Sequence, residues 1–184
     1  MCLLVSLCFS FSTIAMESTG AFAMQNNNNL DEKDRVDYFQ QYQERSLAKK
    51  TALDELYSNL EKYSETSGTE SFLIDNISNY FEIYNLMLPD LTFSRAILYR
   101  KLKENRLAVA DLRTTIKLAQ SNKYNDTKAV LGLTKIYFES GRNADAINTL
   151  ENAKNNSSFR TEEDKKILDY YIQQCKTNST NKNS

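Results

Sequence analysis

The sequence predicts an all-α protein, and three observations support this prediction. The 184 residues include only four glycines and one proline, so few positions interrupt a helix. Apolar residues recur three or four positions apart over most of the chain, which is the period of an amphipathic helix. Residues 127–153 indicate two short helices joined by a tight turn. The length fits one domain, built from antiparallel helical hairpins.

The N-terminus, residues 1–23, is predicted to be a signal peptide. Residues 2–16 form an uncharged apolar run, shorter than the roughly 20 residues that span a bilayer. Residues 21–23 (Ala-Phe-Ala) follow in the small-x-small pattern of a cleavage site. Cleavage before Met24 would give an exported protein, periplasmic or secreted. Because no Lys or Arg precedes the run, an uncleaved membrane anchor and an apolar leader on a cytoplasmic protein stay open as alternatives.

Two polar segments on either side of the main domain are predicted to be disordered. Residues 24–30 form an asparagine-rich spacer, and residues 177–184 form a polar tail that is also rich in asparagine. Neither segment has enough apolar residues to bury a core. The helical domain is therefore expected over residues 31–176.

Residues 31–88 predict two helices ahead of the first hairpin. The second half of residues 31–63 carries an apolar stripe at helical spacing. Its members are Leu53, Leu56, Tyr57, Leu60 and Tyr63. Residues 72–88 form the most apolar helix. Its stripe consists of Leu73, Ile77, Tyr80, Phe81, Tyr84 and Leu88. Pro89 and Asp90 are expected to end this helix and begin the next.

The hairpin at 127–153 is the clearest element of the chain. Its first helix has an apolar face made of Val130, Leu133, Ile136 and Tyr137. Gly141 can adopt the positive φ that ends a helix, and Asn143 is expected to cap the second helix. The second helix returns a face made of Ala146, Ile147, Leu150 and Ala153. The two alanines would let the helix backbones come close.

Residues 91–115 look like a weaker copy of this hairpin, offset by 38 positions. Four residues repeat the mutual spacings of Tyr137, Ala146, Leu150 and Ala153. They are Tyr99, Ala108, Leu112 and Thr115. Arg95 stands at the place of Leu133, and Lys103 at the place of the turn glycine. Residues 118–122 could supply the extra length between the copies.

The last helix is predicted over residues 161–176. Thr161 and Asp164 form a capping-box-like pair at its start. Its apolar stripe consists of Ile167, Leu168, Tyr171, Ile172 and Cys175. A helix with one apolar and one charged side suits a cap that covers the open end of a helical stack.

The hairpin resembles a tetratricopeptide repeat (TPR). The positions that match the family pattern are Val130, Leu133, Tyr137, Gly141, Ala146, Leu150 and Ala153. Val130 stands where the family often has tryptophan, and Ser158 where it often has proline. The resemblance covers a best repeat over 127–158 and a weaker repeat over 89–122. It implies hairpins stacked as a short right-handed TPR-like solenoid, closed by the C-terminal capping helix.

Composition argues against several functional classes. The chain has no histidine, the commonest general acid–base group and metal ligand, so we expect no catalysis, metal or cofactor. Cys2, Cys8 and Cys175 form no metal-binding or disulfide pattern. The 23 basic and 24 acidic residues lack the basic excess that nucleic-acid binding requires. Membrane contact is expected only through the N-terminal segment, if it is not cleaved.

The TPR resemblance implies a concave groove that binds a peptide or a helix of a partner protein. The lining positions carried over to this sequence are Phe93, Ile97, Arg100, Lys128, Leu131, Lys135 and Phe138. Their mixture of basic and apolar side chains would suit an acidic–hydrophobic segment. We therefore expect a non-catalytic scaffold or adaptor.

Three alternatives stay open. The chain could be a helical subunit of an enzyme or secretion complex. It could be a helical bundle that binds a small apolar ligand among the tyrosines of residues 72–88. It could also associate with itself through the stripe at 53–63.

Overall fold

The protein is helical throughout the part of the chain that its structure, a computed structural model, describes: residues 32–156 and 160–180. Its helices are α1 (Glu32–Tyr63), α2 (Glu70–Tyr84), α3 (Pro89–Lys101), α4 (Asn105–Ser121), α5 (Thr127–Glu139), α6 (Asn143–Asn155) and α7 (Glu162–Thr180). No strand occurs in these ranges, which confirms the all-α prediction. The predicted signal peptide (1–23) and spacer (24–30) lie outside the described residues.

The chain divides into two compact units, residues 1–66 and 67–184. Helix α1 belongs to the first unit and, with 32 residues, is about 48 Å long. On its predicted stripe Leu53 and Leu56 are buried, while Tyr57, Leu60 and Tyr63 are half-buried. Its N-terminal half has exposed large apolar residues, namely Val36, Tyr38, Phe39 and Leu47.

In the second unit each helix packs against the next one along the chain, from α2 to α7, and α5 also contacts α7. The main core is shared by α3 to α7 and includes Ala96, Ala108, Leu112, Val130, Leu133, Tyr137, Ala146, Leu150, Leu168 and Ile172. Packing these helices against their neighbours removes the apolar side chains of the core from water, which stabilises the unit. None of the described helices is both long enough and apolar enough to cross a membrane.

The two predicted hairpins are α3–α4 and α5–α6. Their equivalent positions are buried in both, namely Ala108, Leu112 and Thr115 in the first and Ala146, Leu150 and Ala153 in the second. Helix α4 has 17 residues and α6 has 13, while α3 and α5 both have 13. The four extra residues between the two copies therefore form one additional turn at the end of α4. The sequence predicts them in the same region, at residues 118–122.

Both hairpins turn with the same backbone hydrogen bonds. Gly141 has a φ of +74°, and the amides of Gly141 and Arg142 donate to the carbonyls of Phe138 and Tyr137. This is the Schellman motif that ends many helices. Lys103 repeats the motif with a φ of +62° although it is not a glycine.

The predicted cap at Asn143 is not formed. Asn143 is the first residue of α6, Arg142 precedes it, and no side chain caps the helix start. The Asn143 Oδ1 atom is buried and has no hydrogen-bond partner among the described residues. Arg142 instead pairs with Asp145 one turn into the helix, at 2.7 Å.

We expect Lys103→Gly to raise the free energy of unfolding by about 1 kcal/mol, because glycine adopts a positive φ without the steric cost that a Cβ atom brings. The matched change Gly141→Ala should lower it by a similar amount. Open space surrounds Gly141, so backbone strain alone would act there. Urea unfolding of both variants measures the two effects. Equal stability of Lys103→Gly and the parent would contradict the strain argument.

Two helix ends differ from the sequence expectation. Helix α2 ends at Tyr84 rather than Leu88, because Asn85 adopts a left-handed conformation with a φ of +45°. Helix α7 continues to Thr180, beyond the predicted end at Lys176, so the predicted tail at 177–184 begins as helix. Residues 181–184 lie outside the described residues. The predicted Thr161–Asp164 capping pair is present, with reciprocal side-chain to backbone hydrogen bonds of 3.1 Å.

Two ion pairs, one partly buried and one fully buried, cross-link the second unit. The Arg95 guanidinium, at the place of Leu133 in the other hairpin, donates to both Asp111 carboxylate oxygens at 2.7 and 2.9 Å and to the Ser78 hydroxyl at 2.9 Å. The Asp111 side chain hydrogen bond is the largest cause of a raised Arg95 pKa. The second pair joins Asp126, before α5, to Arg160, before α7, and both side chains are fully buried.

Candidate functional site

A groove between α5 and α7 is the candidate site. Each helix buries one face in the core: α5 through residues such as Val130, Leu133 and Tyr137, and α7 through Leu168, Ile172 and Cys175. The adjoining faces are not covered by other described residues. They leave Leu131 and Phe138 of α5 half-buried beside the exposed side chains of α7.

The groove consists of two adjoining depressions that share Leu131, Tyr170 and Tyr171. One has a volume of about 490 Å³ and is further lined by Gly132, Thr134, Lys135, Phe138, Gln174 and Cys175. The other has a volume of about 500 Å³ and is further lined by Glu163, Lys166 and Ile167. On α7 the lining residues recur every three or four positions from 163 to 175. At 1.5 Å per residue this stripe is about 18 Å long.

Tyr170 and Tyr171 are the most distinctive side chains of the groove. They are 60% and 42% exposed, although each is large and mostly apolar. Their ring centroids lie 5.4 Å apart at an interplanar angle of 83°, an edge-to-face arrangement. Tyrosine combines a rigid apolar ring with a hydroxyl that tolerates water, which is why it is enriched in protein interfaces.

The charges around the groove are predominantly basic. Lys135 and Arg100 each form an ion pair with Glu139, with nitrogen–oxygen distances of 3.8 and 3.4 Å. The two cations therefore share one carboxylate. Lys128 and Lys166 are exposed and form no ion pair with described residues. Glu163 is the acidic side chain that lines the groove itself. A positive surplus therefore surrounds an apolar floor.

The Cys175 thiol is among the side chains that line the groove. Burial raises the pKa of this thiol, which keeps it in the protonated and unreactive form at neutral pH. Across the described ranges no three His, Cys, Asp or Glu side chains come close enough together to hold a metal ion.

The structure brings together three of the seven predicted lining residues. Leu131, Lys135 and Phe138 line the first depression. Lys128 lies one turn before Leu131 and is exposed, but it does not line either depression. The other three residues are on α3, where Phe93, Ile97 and Arg100 are half-buried and Phe93 packs against the core. The assignment of all seven residues to partner binding stays a prediction.

Sequence reasoning missed the contribution of α7, which supplies Ile167, Tyr170 and Tyr171. These residues were expected to cover the end of the stack, with Tyr170 unassigned. The sequence does contain an indication of this second wall. Five apolar residues between 167 and 175, together with Tyr170, cover more of the helix circumference than one packed face can bury. Only part of that stripe packs against α6 and α5, and the remainder forms one wall of the groove.

The groove is thus defined by its geometry and chemistry alone. Comparisons of the chain with models of protein families, with curated proteins and with solved structures gave no significant match.

Proposed function

We propose that this chain is a non-catalytic protein-interaction scaffold that binds a segment of a partner protein in the groove between α5 and α7. The observation that carries the proposal is the pair of exposed tyrosines beside half-buried Leu131 and Phe138 in a concave surface. Exposed apolar surface that is rimmed by polar and charged residues often marks a site of protein interaction. Aromatic residues in partly enclosed positions also supply much of the binding energy of protein interfaces.

The proposal includes a TPR-like arrangement, in which α3–α4 and α5–α6 stack as a short right-handed solenoid and α7 caps it. The shared Schellman turns and the matching buried positions of the two hairpins support this arrangement. In such a stack α3, α5 and α7 would lie on the same side. The contact between α5 and α7 is consistent with it, as is the ion pair between Arg100 of α3 and Glu139 of α5.

The chemistry of the groove favours an acidic segment with apolar side chains. Leu131, Phe138 and the two tyrosines would bury apolar groups, and Lys128, Lys135 and Lys166 would attract carboxylates. Charges at the rim of an interface mainly raise the association rate and its dependence on salt, whereas the apolar centre determines how long a complex lasts. A length of about 18 Å fits a helix of about three turns or an extended segment of about five residues.

The test is selection of a displayed peptide library against the full chain. We expect enrichment of sequences that combine acidic and large apolar residues. The selected peptides should bind the double variant Tyr170→Ser, Tyr171→Ser at least about 30-fold more weakly, because each aromatic anchor contributes on the order of 1–2 kcal/mol. Lys128→Glu with Lys135→Glu should slow association and reduce its salt dependence.

Tyr38→Ser is the matched control, since Tyr38 of α1 is 46% exposed and does not line the groove. It should leave peptide affinity unchanged. Selected peptides that bind the tyrosine double variant as tightly as the parent would refute the groove as the binding site, provided that circular dichroism shows the same helix content for both.

A further inference from the structure

The turn between α3 and α4 is exposed along its whole length. All seven residues from 101 to 107 are exposed, and Ala108 directly after them is fully buried. This segment, which we name the basic tip, contains three cations, one carboxylate and two leucines. In order it reads Lys101, Leu102, Lys103, Glu104, Asn105, Arg106 and Leu107.

The turn between α5 and α6 provides an internal comparison. Both turns have the same two Schellman hydrogen bonds and a central residue with positive φ, so their backbones impose the same requirements. Yet the second turn has Glu139, Ser140, Gly141, Ala144 and Asp145 where the basic tip has Lys101, Leu102, Lys103, Arg106 and Leu107. The turn geometry therefore does not require the leucines or the cations of the basic tip.

The two leucines are among the exposed large apolar side chains of the described residues. Leu102 is 39% exposed and Leu107 is 42% exposed, and neither is a member of the buried hydrophobic core. Large apolar side chains on an exposed turn lower the solubility of a protein. At the equivalent positions the second hairpin has a serine and an aspartate.

Two of the three cations of the tip carry its positive charge outward. Lys103 and Arg106 form no ion pair with the described residues. Glu104 is the acidic residue of the tip. Along α4, Arg113 and Lys117 are exposed on the same side as Arg106, seven and eleven positions on. The acidic residue within α4, Asp111, is buried against Arg95, so the outer face of this helix is basic.

We propose that the basic tip docks onto the surface of an anionic phospholipid bilayer. Leucines inserted at the boundary between headgroups and acyl chains, flanked by lysine and arginine that contact anionic headgroups, are the combination that holds proteins at a membrane interface. No residue of the tip lines either depression of the groove, and all seven are exposed, so the tip offers an accessible surface and no enclosed site for a peptide. Nucleic acid could bind the cations of the tip, but nucleic-acid binding would not explain the exposed leucines.

This inference does not depend on the peptide groove, because the tip and the groove share no residue. It also differs from the expectation that the membrane is contacted only through the N-terminal segment. The near-even charge of the whole chain does not oppose it, since the tip itself has three cations and one carboxylate and electrostatic attraction falls off within about 8 Å at physiological salt.

The test is co-sedimentation of the full chain with vesicles of equimolar phosphatidylcholine and phosphatidylserine, beside vesicles of phosphatidylcholine alone. Because the N-terminal segment is present in every variant, the preference for anionic vesicles is the quantity to compare. Lys103→Gly with Arg106→Ala should reduce binding to anionic vesicles about 25-fold, since each basic residue near such a surface strengthens binding about fivefold. Leu102→Ser with Leu107→Asp should also weaken it, at unchanged helix content.

Arg142→Gln is the matched control, because it removes an exposed cation from the equivalent place in the other turn. It should have no effect on the preference. The triple variant Ser140→Leu, Ala144→Arg, Asp145→Leu introduces the leucines and the arginine of the tip into the other turn. It should increase binding to anionic vesicles, so the proposal can be tested even if a tip variant folds poorly.

Three outcomes would overturn the proposal. The first is a parent chain that binds both kinds of vesicle equally, and the second is tip variants that bind anionic vesicles as well as the parent. The third is binding that depends on the cations but not on the leucines and that duplex DNA or heparin competes away. That result would identify a polyanion-binding surface instead of a membrane contact.

Discussion

Asp126→Ala is expected to lower the free energy of unfolding of residues 67–184 by about 3–5 kcal/mol, because it leaves the Arg160 guanidinium buried without its counter-ion. Both side chains are fully buried. Arg160 donates to Asp126 Oδ1 and to the carbonyls of Ala153 and Asn156, while Gln120 Nε2 donates to Asp126 Oδ2 at 3.0 Å. The pair thereby joins the end of α4, the start of α5, the end of α6 and the start of α7.

Such a loss would be a large fraction of the 5–15 kcal/mol by which most domains are stable. Asp126→Asn should cost less than the alanine variant, since the amide oxygen can still accept a hydrogen bond from Arg160. Denaturant unfolding followed by circular dichroism measures both. The asparagine variant keeps the comparison possible if the alanine variant does not fold.

The exposed pair between Lys154 and Asp169 is the control for this prediction. Its atoms lie 2.6 Å apart, but the two side chains are 45% and 50% exposed. Solvent screens such a pair, so Asp169→Ala should cost less than about 1 kcal/mol. Equal losses for Asp126→Ala and Asp169→Ala would show that burial of the Asp126–Arg160 pair has no energetic significance.

The second large effect is expected at Arg95 and Asp111. The residues at the equivalent positions of the other hairpin are Leu133 and Thr149. The Arg95 and Asp111 side chains are 15% and 9% exposed. Asp111→Thr alone should cost about 2–3 kcal/mol, because it removes both carboxylate acceptors and leaves Arg95 largely buried. Arg95→Leu alone should cost a similar amount by leaving the Asp111 carboxylate without its donors.

The double variant Arg95→Leu, Asp111→Thr should be close to the parent in stability, since it installs the residues that the same fold element uses in α5–α6. Replacing a buried ion pair by apolar side chains of similar volume is often neutral or stabilising. A double-mutant cycle measures the coupling between the two residues. Losses that simply add would show that the pair acts as two independent contacts. The Ser78 and Phe81 contacts of Arg95 are lost when Arg95→Leu is made in the parent and when it is made in the Asp111→Thr variant, so they cancel from the measured coupling.

The α5–α6 hairpin could be predicted from the sequence because its determinants are local. Tyr137, Gly141 and Ala146 lie within ten positions of one another, and each has a distinct role in the turn or in close helix packing. The same spacings identify the α3–α4 hairpin even though Lys103 replaces the glycine. The backbone hydrogen bonds of the turn stabilise a lysine in a conformation that it adopts at some cost.

The buried ion pairs could not be predicted, because nothing local connects their members. Asp126 and Arg160 are 34 positions apart, and each resembles an ordinary charged residue beside a helix end. Arg95 breaks the apolar pattern of α3, which marks an anomaly but does not identify Asp111 as its partner. Pairing of this kind depends on how α4 packs against α3, which a single helical stripe does not specify.

The groove was predicted only on the side of α5. Leu131, Lys135 and Phe138 follow from the spacing of that helix, but the opposite wall depends on how much of the α7 stripe α6 covers. Tyr171 and Ile167 are apolar positions that a capping helix could have buried. The packing of α7 decides that they stay accessible.

The order in which the helices contact one another affects how the chain folds. In residues 67–184 the packed helices are neighbours in sequence, apart from α5 with α7, so each contact closes a short loop at little entropic cost. Domains with such local contacts fold on the order of microseconds to milliseconds. The Asp126–Arg160 pair requires α5 and α6 to be in place first, so we expect it to form after the folding transition state. A stopped-flow comparison should then show that Asp126→Asn unfolds faster than the parent and folds at nearly the same rate.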